Sequence, residues 1–432
     1  MEQLQNQNTI IIKEQQKGDV ANLEIINKAI KKQNELMLFI KSNADDNSNK
    51  TVQNLDFKMV FDTLKKDNAI LVSYFSGNEN LYCFTFNNNH IELQKLDYSV
   101  ISKQKIISFL NYFSNADEIT NDVSSYIDAA NILFSYLKLP KKQQDKNLII
   151  SPDGLLNFVP FEALITKKTA TNNFSKLHYL INDFSIGYTS SVSFYINEKQ
   201  SKKKEETVLG IFPIFENSDL ELTYSKNELK TIKDNFKGNY FEKKQASYAN
   251  FKQNANHFSI LHLSTHANSG DEVTPASIRF YDQEILYSEL YNLKIEPNLV
   301  VLSACETGLG KLYKGEGSMS VARGFQMAGA QNLLFSLWNV NDYTASIFME
   351  KFYKNIKNGN SYFEANHNAK LDFLSDESIT NSKKSPYYWC PMVYYGELEK
   401  SYSSNWWIWV VLGTLALLTL VYLSKNKKFQ LK

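Results

Sequence analysis

Two short apolar runs flank a glycine-rich loop and an amphipathic segment in the second half of the chain. The runs Leu299–Leu302 and Asn332–Trp338 are apolar rather than alternating, which is typical of parallel strands buried on both faces. Between them, Val321, Phe325 and Ala328 recur at helical spacing. The pattern therefore predicts a strand, a loop, a helix and a second strand, which together form one βαβ unit of a parallel sheet.

Glycines and capping residues predict the connections of this unit. Four glycines lie between positions 308 and 317, so the backbone there can adopt positive φ and approach a ligand closely. Ser318 is the candidate N-cap of the helix, and Gly329 is placed to end it. In open parallel sheets, ligands bind beyond the carboxyl ends of the strands. Cys305 follows the first strand directly and is therefore at such a position.

The same patterns extend to the rest of the chain. Residues 206–212 and 257–267 contain further buried strands, residues 227–236 are helical, and Tyr287 to Leu293 predicts a crossover helix. In the first half, residues 55–65 and 101–139 read as mostly helical, residues 69–96 as three strands, and residues 147–164 as a strand and a turn. The prediction is an α/β fold with a mostly parallel sheet and helices on its flanks.

Linker composition divides the chain into five predicted regions. Polar residues at 42–51 separate an N-terminal helical segment from the strands and helices of the main body, and residues 25–40 keep amphipathic spacing. The regions are a helical lead-in with its linker (1–49), a strand and helix subdomain (50–119), the main domain (120–398), an apolar segment (406–423) and a basic tail (424–432).

Composition narrows the class of protein. With 432 residues, 43% hydrophobic and 13% aromatic, the chain can bury a large core. A net charge of +1, with lysines dispersed among acidic residues, gives no nucleic-acid footprint. The three cysteines, Cys83, Cys305 and Cys390, match neither a disulfide framework nor a CxxC metal pair. We expect no cofactor and no metal, and we expect Cys83 to be a buried small hydrophobe.

His266 and Cys305 form the candidate catalytic pair. Each follows a predicted buried strand, and they lie 39 positions apart with one crossover helix between them. In a right-handed βαβ unit the carboxyl ends of both strands open on one edge of the sheet. A free thiol has a pKa of roughly 8.5, so an adjacent imidazole that accepts its proton raises the thiolate fraction and can later protonate a leaving amine. The residues themselves suggest no third orienting group.

Backbone N–H groups near the pair are candidates for an oxyanion site. The loop after Cys305, with Glu306 and Gly308, and the residue after His266, Ala267, can present such donors to a developing negative charge. These residues complete the predicted catalytic centre.

The segments HLSTHA, LSACETGLGKLYKGEG and ARGFQMAGAQNLLFSLWNVND resemble, in this order, those of the CHAT-domain peptidases, a caspase-like family related to separase. SPDGLLNFVPFEAL and SPYYWCPMVYYG resemble two further family segments, so the likeness extends over roughly 120–398. Ser385 and Cys390 depart from the pattern of the last segment. The resemblance implies a caspase-like sheet and peptide-bond hydrolysis through an acyl-enzyme, with Cys305 as nucleophile and His266 as general base and acid.

The family resemblance also bears on partners. It implies a protein substrate and an activating partner or a tetratricopeptide-repeat region, although no 34-residue repeat is visible. Residues 1–45 are then interpreted as the remnant of a helical array, and if the start of the sequence is truncated, the substrate-selecting or regulatory part is missing. Asp342, in the family segment WNVND, and Glu316 are acidic candidates for a substrate pocket that favours Lys or Arg, although surface solvation and N-capping are the preferred explanations for both.

Other functions fit parts of the sequence. His262 and His266 with Cys305 suggest a zinc site, which lacks carboxylate or further histidine support. GLGK at 308–311 suggests a phosphate loop, but Leu312 replaces the Ser or Thr that would bind magnesium. The main alternative to a peptidase is a catalytically silent, membrane-anchored scaffold of the same fold. Transpeptidation by the same pair is another.

The segment 406–423 predicts a single transmembrane helix. Its 18 residues carry no charge and would be roughly 27 Å long, close to the thickness of the hydrocarbon core. Aromatic residues lie at both ends, and lysines come after it. Those lysines favour a cytoplasmic tail, whereas the lack of a signal sequence favours a cytoplasmic peptidase domain. The sequence thus predicts a single-pass membrane protein with unresolved orientation, and we prefer the second arrangement.

Overall fold

A computed structural model gives the fold. It describes residues 55–143, 146–197, 205–270, 275–304, 308, 311–313 and 317–398, together with scattered residues between 7 and 36. Cys305, Glu306 and Glu316 lie outside the described residues, as do the apolar segment 406–423 and the tail 424–432. The described residues between 24 and 36 are helical.

Eighteen strands are assigned in the described part of the chain. They are β1 (Ala69–Ser76), β2 (Asn80–Asn87), β3 (His90–Asp97), β4 (Asn147–Ser151), β5 (Ile165–Lys167), β6 (His178–Tyr179), β7 (Ser185–Tyr188), β8 (Thr207–Phe212), β9 (Lys237–Glu242), β10 (Ile260–Ser264), β11 (Ala267–Asn268), β12 (Ser277–Arg279), β13 (Glu284–Leu286), β14 (Leu299–Ser303), β15 (Lys311–Tyr313), β16 (Gly317–Met319), β17 (Leu333–Ser336) and β18 (Met392–Tyr395).

Eleven of these strands form one sheet in the order β3-β2-β1-β4-β7-β18-β17-β14-β10-β8-β9. Seven of its ten neighbouring pairs are parallel, and the antiparallel ones are β3/β2, β2/β1 and β18/β17. The prediction of a mostly parallel α/β sheet is confirmed. The three strands of the predicted subdomain 50–119 extend the same sheet, so the division at residue 119 stays a prediction.

Twelve α-helices are assigned among the described residues from position 55 onward. They are α1 (Phe57–Lys66), α2 (Val100–Asn111), α3 (Asp117–Asn121), α4 (Val123–Tyr136), α5 (Val192–Asn197), α6 (Ser225–Asn235), α7 (Tyr248–Asn254), α8 (Tyr287–Leu290), α9 (Val321–Ala328), α10 (Asp342–Lys357), α11 (Tyr362–Ser375) and α12 (Pro386–Trp389).

The central strands are buried on both faces. All five residues of β10 and of β14 are buried, and successive side chains of a strand point to opposite faces of the sheet. One face carries His262, which contacts Tyr353 of α10, while α6 and α11 also pack against α10. A second group of helices comprises α7, α8 and α9, in which α8 packs against α9 and Phe251 of α7 lies against Phe325 of α9. This two-sided burial explains why β14 reads as the apolar run Leu299–Leu302 and why His262 is the one residue between the apolar Ile260 and Leu263 of β10 that is not apolar.

The helix after the glycine loop is shorter and better capped than predicted. It begins after Ser320, whose hydroxyl accepts a hydrogen bond from Arg323 N at 3.3 Å. Ser318 instead lies within β16, so its predicted role as N-cap was wrong. Gly329 ends the helix at φ 117°, as predicted. A Cβ there would lie 2.3 Å from the carbonyl oxygen of Ile295, which leaves space only for glycine.

The prediction of a transmembrane helix has to be corrected. Among the residues that the structure describes, no helix combines the length and apolar composition needed to cross a bilayer. The longest helix assigned from position 55 onward, α10, has 16 residues and is therefore roughly 24 Å long, shorter than the about 30 Å hydrocarbon core. This finding overturns the transmembrane part of the predicted fold class, the membrane anchor and the single-pass location. The segment on which that prediction was based lies outside the described residues.

Candidate active site

The carboxyl ends of β10 and β14 lie side by side, as the sequence predicts. The strands pair in parallel, with Ser264 opposite Ser303. This register offset of 39 residues equals the separation of His266 from Cys305 in the sequence. Beyond the last pair, Thr265 N donates a hydrogen bond to the carbonyl oxygen of Ser303 at 3.3 Å. Described residues on β14 end at Ala304, directly before Cys305.

The His266 side chain is held by a backbone carbonyl. It is half-buried, and its Nε2 lies 2.8 Å from the carbonyl oxygen of Leu220. Because a carbonyl only accepts, a neutral imidazole in this contact carries its proton on Nε2 and leaves Nδ1 as the basic nitrogen. The ring of Phe215 lies 5.5 Å away and limits its rotation. Leu220 thus supplies the orienting group that the sequence did not reveal.

The loop between β8 and α6, which carries Leu220, is backbone-strained and anchored by charge. Ile214, Phe215 and Asn217 all adopt positive φ values of 52–60°, a conformation that costs of the order of 1–3 kcal/mol for each non-glycine residue. Glu216 in this loop forms salt bridges with Lys226 at 2.6 Å and Lys243 at 2.7 Å. These lysines lower the pKa of Glu216 to about 2. The loop is therefore fastened next to His266.

Asp342, a predicted pocket residue, lies close enough to His266 for their charges to interact. It is the first residue of α10, and its Oδ2 accepts a hydrogen bond from Tyr224 N at 2.7 Å. The half-exposed rings of Tyr224 and Tyr343 contact each other beside it, with their centroids 5.1 Å apart. Burial raises the pKa of Asp342, as does the charge of Glu228, while the Tyr224 N–H and His266 lower it.

The raised pKa of Asp342 makes a prediction about stability and pH. Its folded-state pKa lies above the unfolded value of about 3.9, so ionised Asp342 lowers the stability of the folded chain. That penalty is absent at lower pH and develops as pH rises through the folded pKa. Asp342→Asn, whose amide oxygen can still accept from Tyr224, should therefore gain stability relative to the intact chain at pH 7 but not near pH 3.

Urea unfolding midpoints at the two pH values measure this difference. Asp122 is the matched control, because hydrogen bonds from the Ser125 hydroxyl and backbone N–H lower its pKa. A carboxyl group whose pKa is lowered by folding stabilises the folded chain at pH values above its unfolded-state pKa, and this contribution is lost as the pH falls. Asp122→Asn should therefore lose stability relative to the intact chain at pH 7. Equal effects of the two substitutions would contradict the prediction.

The predicted oxyanion donors divide into two groups. Gly308 N donates to the carbonyl oxygen of Ser336 at 2.8 Å, so this N–H is engaged within the protein. A Cβ at Gly308 would lie 2.5 Å from the Phe335 ring, which explains the need for glycine there. Ala267 begins β11 at the edge next to His266. Glu306 lies outside the described residues, and the oxyanion site stays a prediction.

His262, a candidate zinc ligand by its sequence position, points into the core. It is completely buried, with Nδ1 2.8 Å from the Tyr353 hydroxyl and Nε2 2.9 Å from Glu228 Oε1. Both ring nitrogens therefore face protein groups. Within the described ranges, no three metal-ligating side chains converge. Cys83 and Cys390 are also buried, as expected for Cys83, and burial raises the pKa of both thiols.

A large, mostly parallel sheet with His266 directly beyond the end of one of its central strands fits a caspase-like α/β fold. The profile of the family described as "CHAT domain" matches residues 125–397, which is more than half of the chain. The chain belongs to this family. No curated protein is similar enough to the chain to count as a match.

Solved structures share the fold. Separase in the Saccharomyces cerevisiae separase–securin complex is 11% identical, with a TM-score of 0.51, over 78% of this chain and 30% of the separase chain. The Arg-specific cysteine proteinase gingipain R is 10% identical, with a TM-score of 0.41, over 70% of this chain and 76% of that one. The chain thus spans less than a third of separase. At this identity the separase likeness establishes a caspase-like fold, and no more.

Proposed function

We propose that the chain is a cysteine endopeptidase that hydrolyses peptide bonds in protein substrates through Cys305 and His266. The register of β10 and β14 carries the proposal, since the two strands pair in parallel with an offset of 39 residues, which equals the separation of His266 from Cys305 in the sequence. The Leu220 carbonyl supports it, because it leaves Nδ1 of His266 free to act as a base. The CHAT family and the caspase-like fold agree with this activity.

In the proposed mechanism, Nδ1 of His266 takes the thiol proton of Cys305 as the sulfur attacks the scissile carbonyl carbon. The tetrahedral oxyanion is stabilised by backbone N–H groups, for which Ala267 and Glu306 are the candidates. The C–N bond then breaks, and His266 donates its proton to the departing amine. Water, activated by the same imidazole, hydrolyses the thioester and releases the new carboxylate.

Asp342 is the proposed selectivity group. Its carboxylate is half-buried, lies within electrostatic range of His266 and is flanked by the aromatic rings of Tyr224 and Tyr343. A carboxylate beside aromatic faces favours a cation, which it pairs with through charge while the rings contribute cation–π contacts. We therefore propose that the residue before the scissile bond is Lys or Arg. Glu316 remains a second candidate.

The test compares new protein N-termini in cells that express the intact chain or Cys305→Ala. Cys83→Ala is the matched control, because Cys83 is a buried thiol in β2. We expect a set of N-termini that follow Lys or Arg, present with the intact chain and Cys83→Ala and absent with Cys305→Ala. Identical N-termini in all three samples, with candidate activating partners supplied, would instead favour a silent scaffold. N-termini that are Cys305-dependent but follow other residues would remove only the Asp342 proposal.

A further inference from the structure

Glu228 places a buried carboxylate directly beneath the candidate active site. It lies on α6, is 2% exposed, and faces the carboxyl ends of β10 and β14. Its Oε2 accepts hydrogen bonds from the hydroxyl groups of Ser264 at 2.9 Å and Ser303 at 3.2 Å. One carboxylate oxygen thus joins the two strands at a single point.

Both serines lie close in sequence to the candidate catalytic residues. Ser264 and Ser303 are register partners, and each lies two residues before a candidate catalytic residue, His266 or Cys305. A strand repeats its orientation every two residues. Glu228 therefore binds the last register pair of β10 and β14, two residues before His266 and Cys305 in the sequence.

Further polar groups fix the carboxylate itself. Ser225 lies 2.9 Å from the Ser264 hydroxyl, and since Ser264 donates to Glu228, Ser225 is the donor in this second contact. On the other side, Glu228 Oε1 lies 2.9 Å from Nε2 of His262, although the approach is not in line with a ring N–H bond. Nδ1 of His262 lies 2.8 Å from the Tyr353 hydroxyl. The network reaches α10 and joins two helices to two strands.

A buried network of this kind is a weak source of stability. Removing a carboxylate from water costs more than its contacts usually return, and apolar residues of similar volume often serve stability as well or better. The same low dielectric makes the hydrogen bonds directional and strong. The charge of Glu228 also extends outward, since it contributes to raising the pKa of Asp342. The buried network around Glu228 is therefore better suited to holding the candidate active site in a fixed geometry than to stabilising the core.

We propose that Glu228 is a positioning residue, whose carboxylate holds the ends of β10 and β14 at the spacing that proton transfer between Cys305 and His266 requires. This inference rests on the proposed peptidase function. Glu228 acts through Ser264 and Ser303 and does not touch the substrate. His262 and Tyr353 hold the carboxylate from behind.

The test compares the full chain with Glu228→Gln, using a peptide that spans a cleavage site identified from the new N-termini and the pH profile of Cys305 alkylation by iodoacetamide. The amide keeps the shape of the side chain and removes its charge. We expect kcat to fall by about 10- to 100-fold, as for a small misplacement of reacting groups, while KM changes by less than about 2-fold. His266-dependent alkylation of Cys305 should weaken in parallel. The urea unfolding midpoint should stay the same or rise.

A double-mutant cycle identifies the route. Ser303→Ala should lower kcat several-fold in the intact background, but it should add little to Glu228→Gln, because both remove the same link. The double variant Glu162→Gln/Lys370→Met is the matched control. It removes another buried carboxylate, which is paired at 2.5 Å with Lys370 and follows β4, four strands away from β14 in the sheet, and it should leave kcat unchanged.

Three results would overturn the inference. Glu228→Gln could keep the kcat and alkylation profile of the intact chain, it could lower kcat only as much as the Glu162/Lys370 control does, or its effect could add fully to that of Ser303→Ala. If Glu228→Gln does not fold, the Ser264→Ala/Ser303→Ala variant decides in the same way. Failure of the peptidase function itself looks different, since Cys305 would then be alkylated equally fast in the intact chain and in His266→Ala.

Discussion

Replacement of His266 by alanine should lower kcat/KM for peptide cleavage by about 10²- to 10⁴-fold, the range for loss of a general base. Cys305→Ala should cost more, on the order of 10⁶-fold in kcat, because it removes the nucleophile itself. The two losses should not add, since the imidazole acts only through the thiol. The double variant should therefore be no slower than Cys305→Ala alone.

The measurement is steady-state cleavage of one peptide by the four proteins, at several pH values. His257→Ala is the matched control, because His257 is exposed and lies before β10 rather than at its carboxyl end. It should retain full activity. A His266→Ala enzyme that cleaves the peptide at the rate of the intact chain would contradict the assignment.

The two strands that precede His266 and Cys305 can be predicted from the sequence because burial on both faces leaves a local pattern of apolar residues. β10 and β14 are buried on both faces, so β14 appears in the sequence as the apolar run Leu299–Leu302, and β10 as a mostly apolar run that contains His262. Chain order and the handedness of the crossover then make them parallel neighbours. The equality of the register offset and the His266–Cys305 spacing needs the structure, since the sequence does not state which residues pair.

The groups that hold the pair in place have no such local signal. Leu220 contributes only its carbonyl oxygen, which every residue possesses, and its placement depends on three positive-φ residues in the preceding loop. Glu228 reads as an ordinary polar residue on α6. Its one sequence signal is that it shares the buried side of that helix with Leu229 and Ile232, where a carboxyl group is rarely found. Its hydrogen-bond partners, such as Ser303, are distant in the sequence and cannot be predicted from it.

Errors in the sequence-based prediction also have physical causes. Ser318 and Ser320 are both residues that can cap a helix. Because β16 includes Ser318 and Met319, the helix can begin only after Ser320. The small sheet of β11, β12 and β13, which follows His266, uses strands of two or three residues, too short to give a periodic pattern. Both features arise from pairing between segments that composition alone does not relate.

The second large effect concerns a buried ion pair away from the active site. Glu162 and Lys370 are 1% and 0% exposed, and Lys370 Nζ lies 2.5 Å from Glu162 Oε1. The Tyr188 hydroxyl donates to the other carboxylate oxygen at 2.5 Å. Burial, followed by the charge of Glu162, raises the pKa of Tyr188 well above its usual value, so that hydroxyl remains a donor. The pair links α11 to the segment after β4.

Removing one partner should be far more costly than removing both. Glu162→Gln leaves the Lys370 ammonium buried without its counter-charge, and we expect a loss of about 3–5 kcal/mol in the free energy of unfolding. Lys370→Met should cost a similar amount. The double variant Glu162→Gln/Lys370→Met contains neither charge and should return to within about 1–2 kcal/mol of the intact chain.

Urea unfolding of the intact chain, the two single variants and the double variant measures this coupling. The exposed pair of Lys230 and Asp234 on α6 has the same 2.5 Å separation, but its side chains are 78% and 57% exposed. Lys230→Ala should therefore cost less than about 1 kcal/mol. If the Glu162 and Lys370 single variants lost no more than Lys230→Ala, burial would not be the property that sets the strength of this pair. A double variant as unstable as either single one would show that packing around the methylene chains, rather than the unpaired charge, causes the loss.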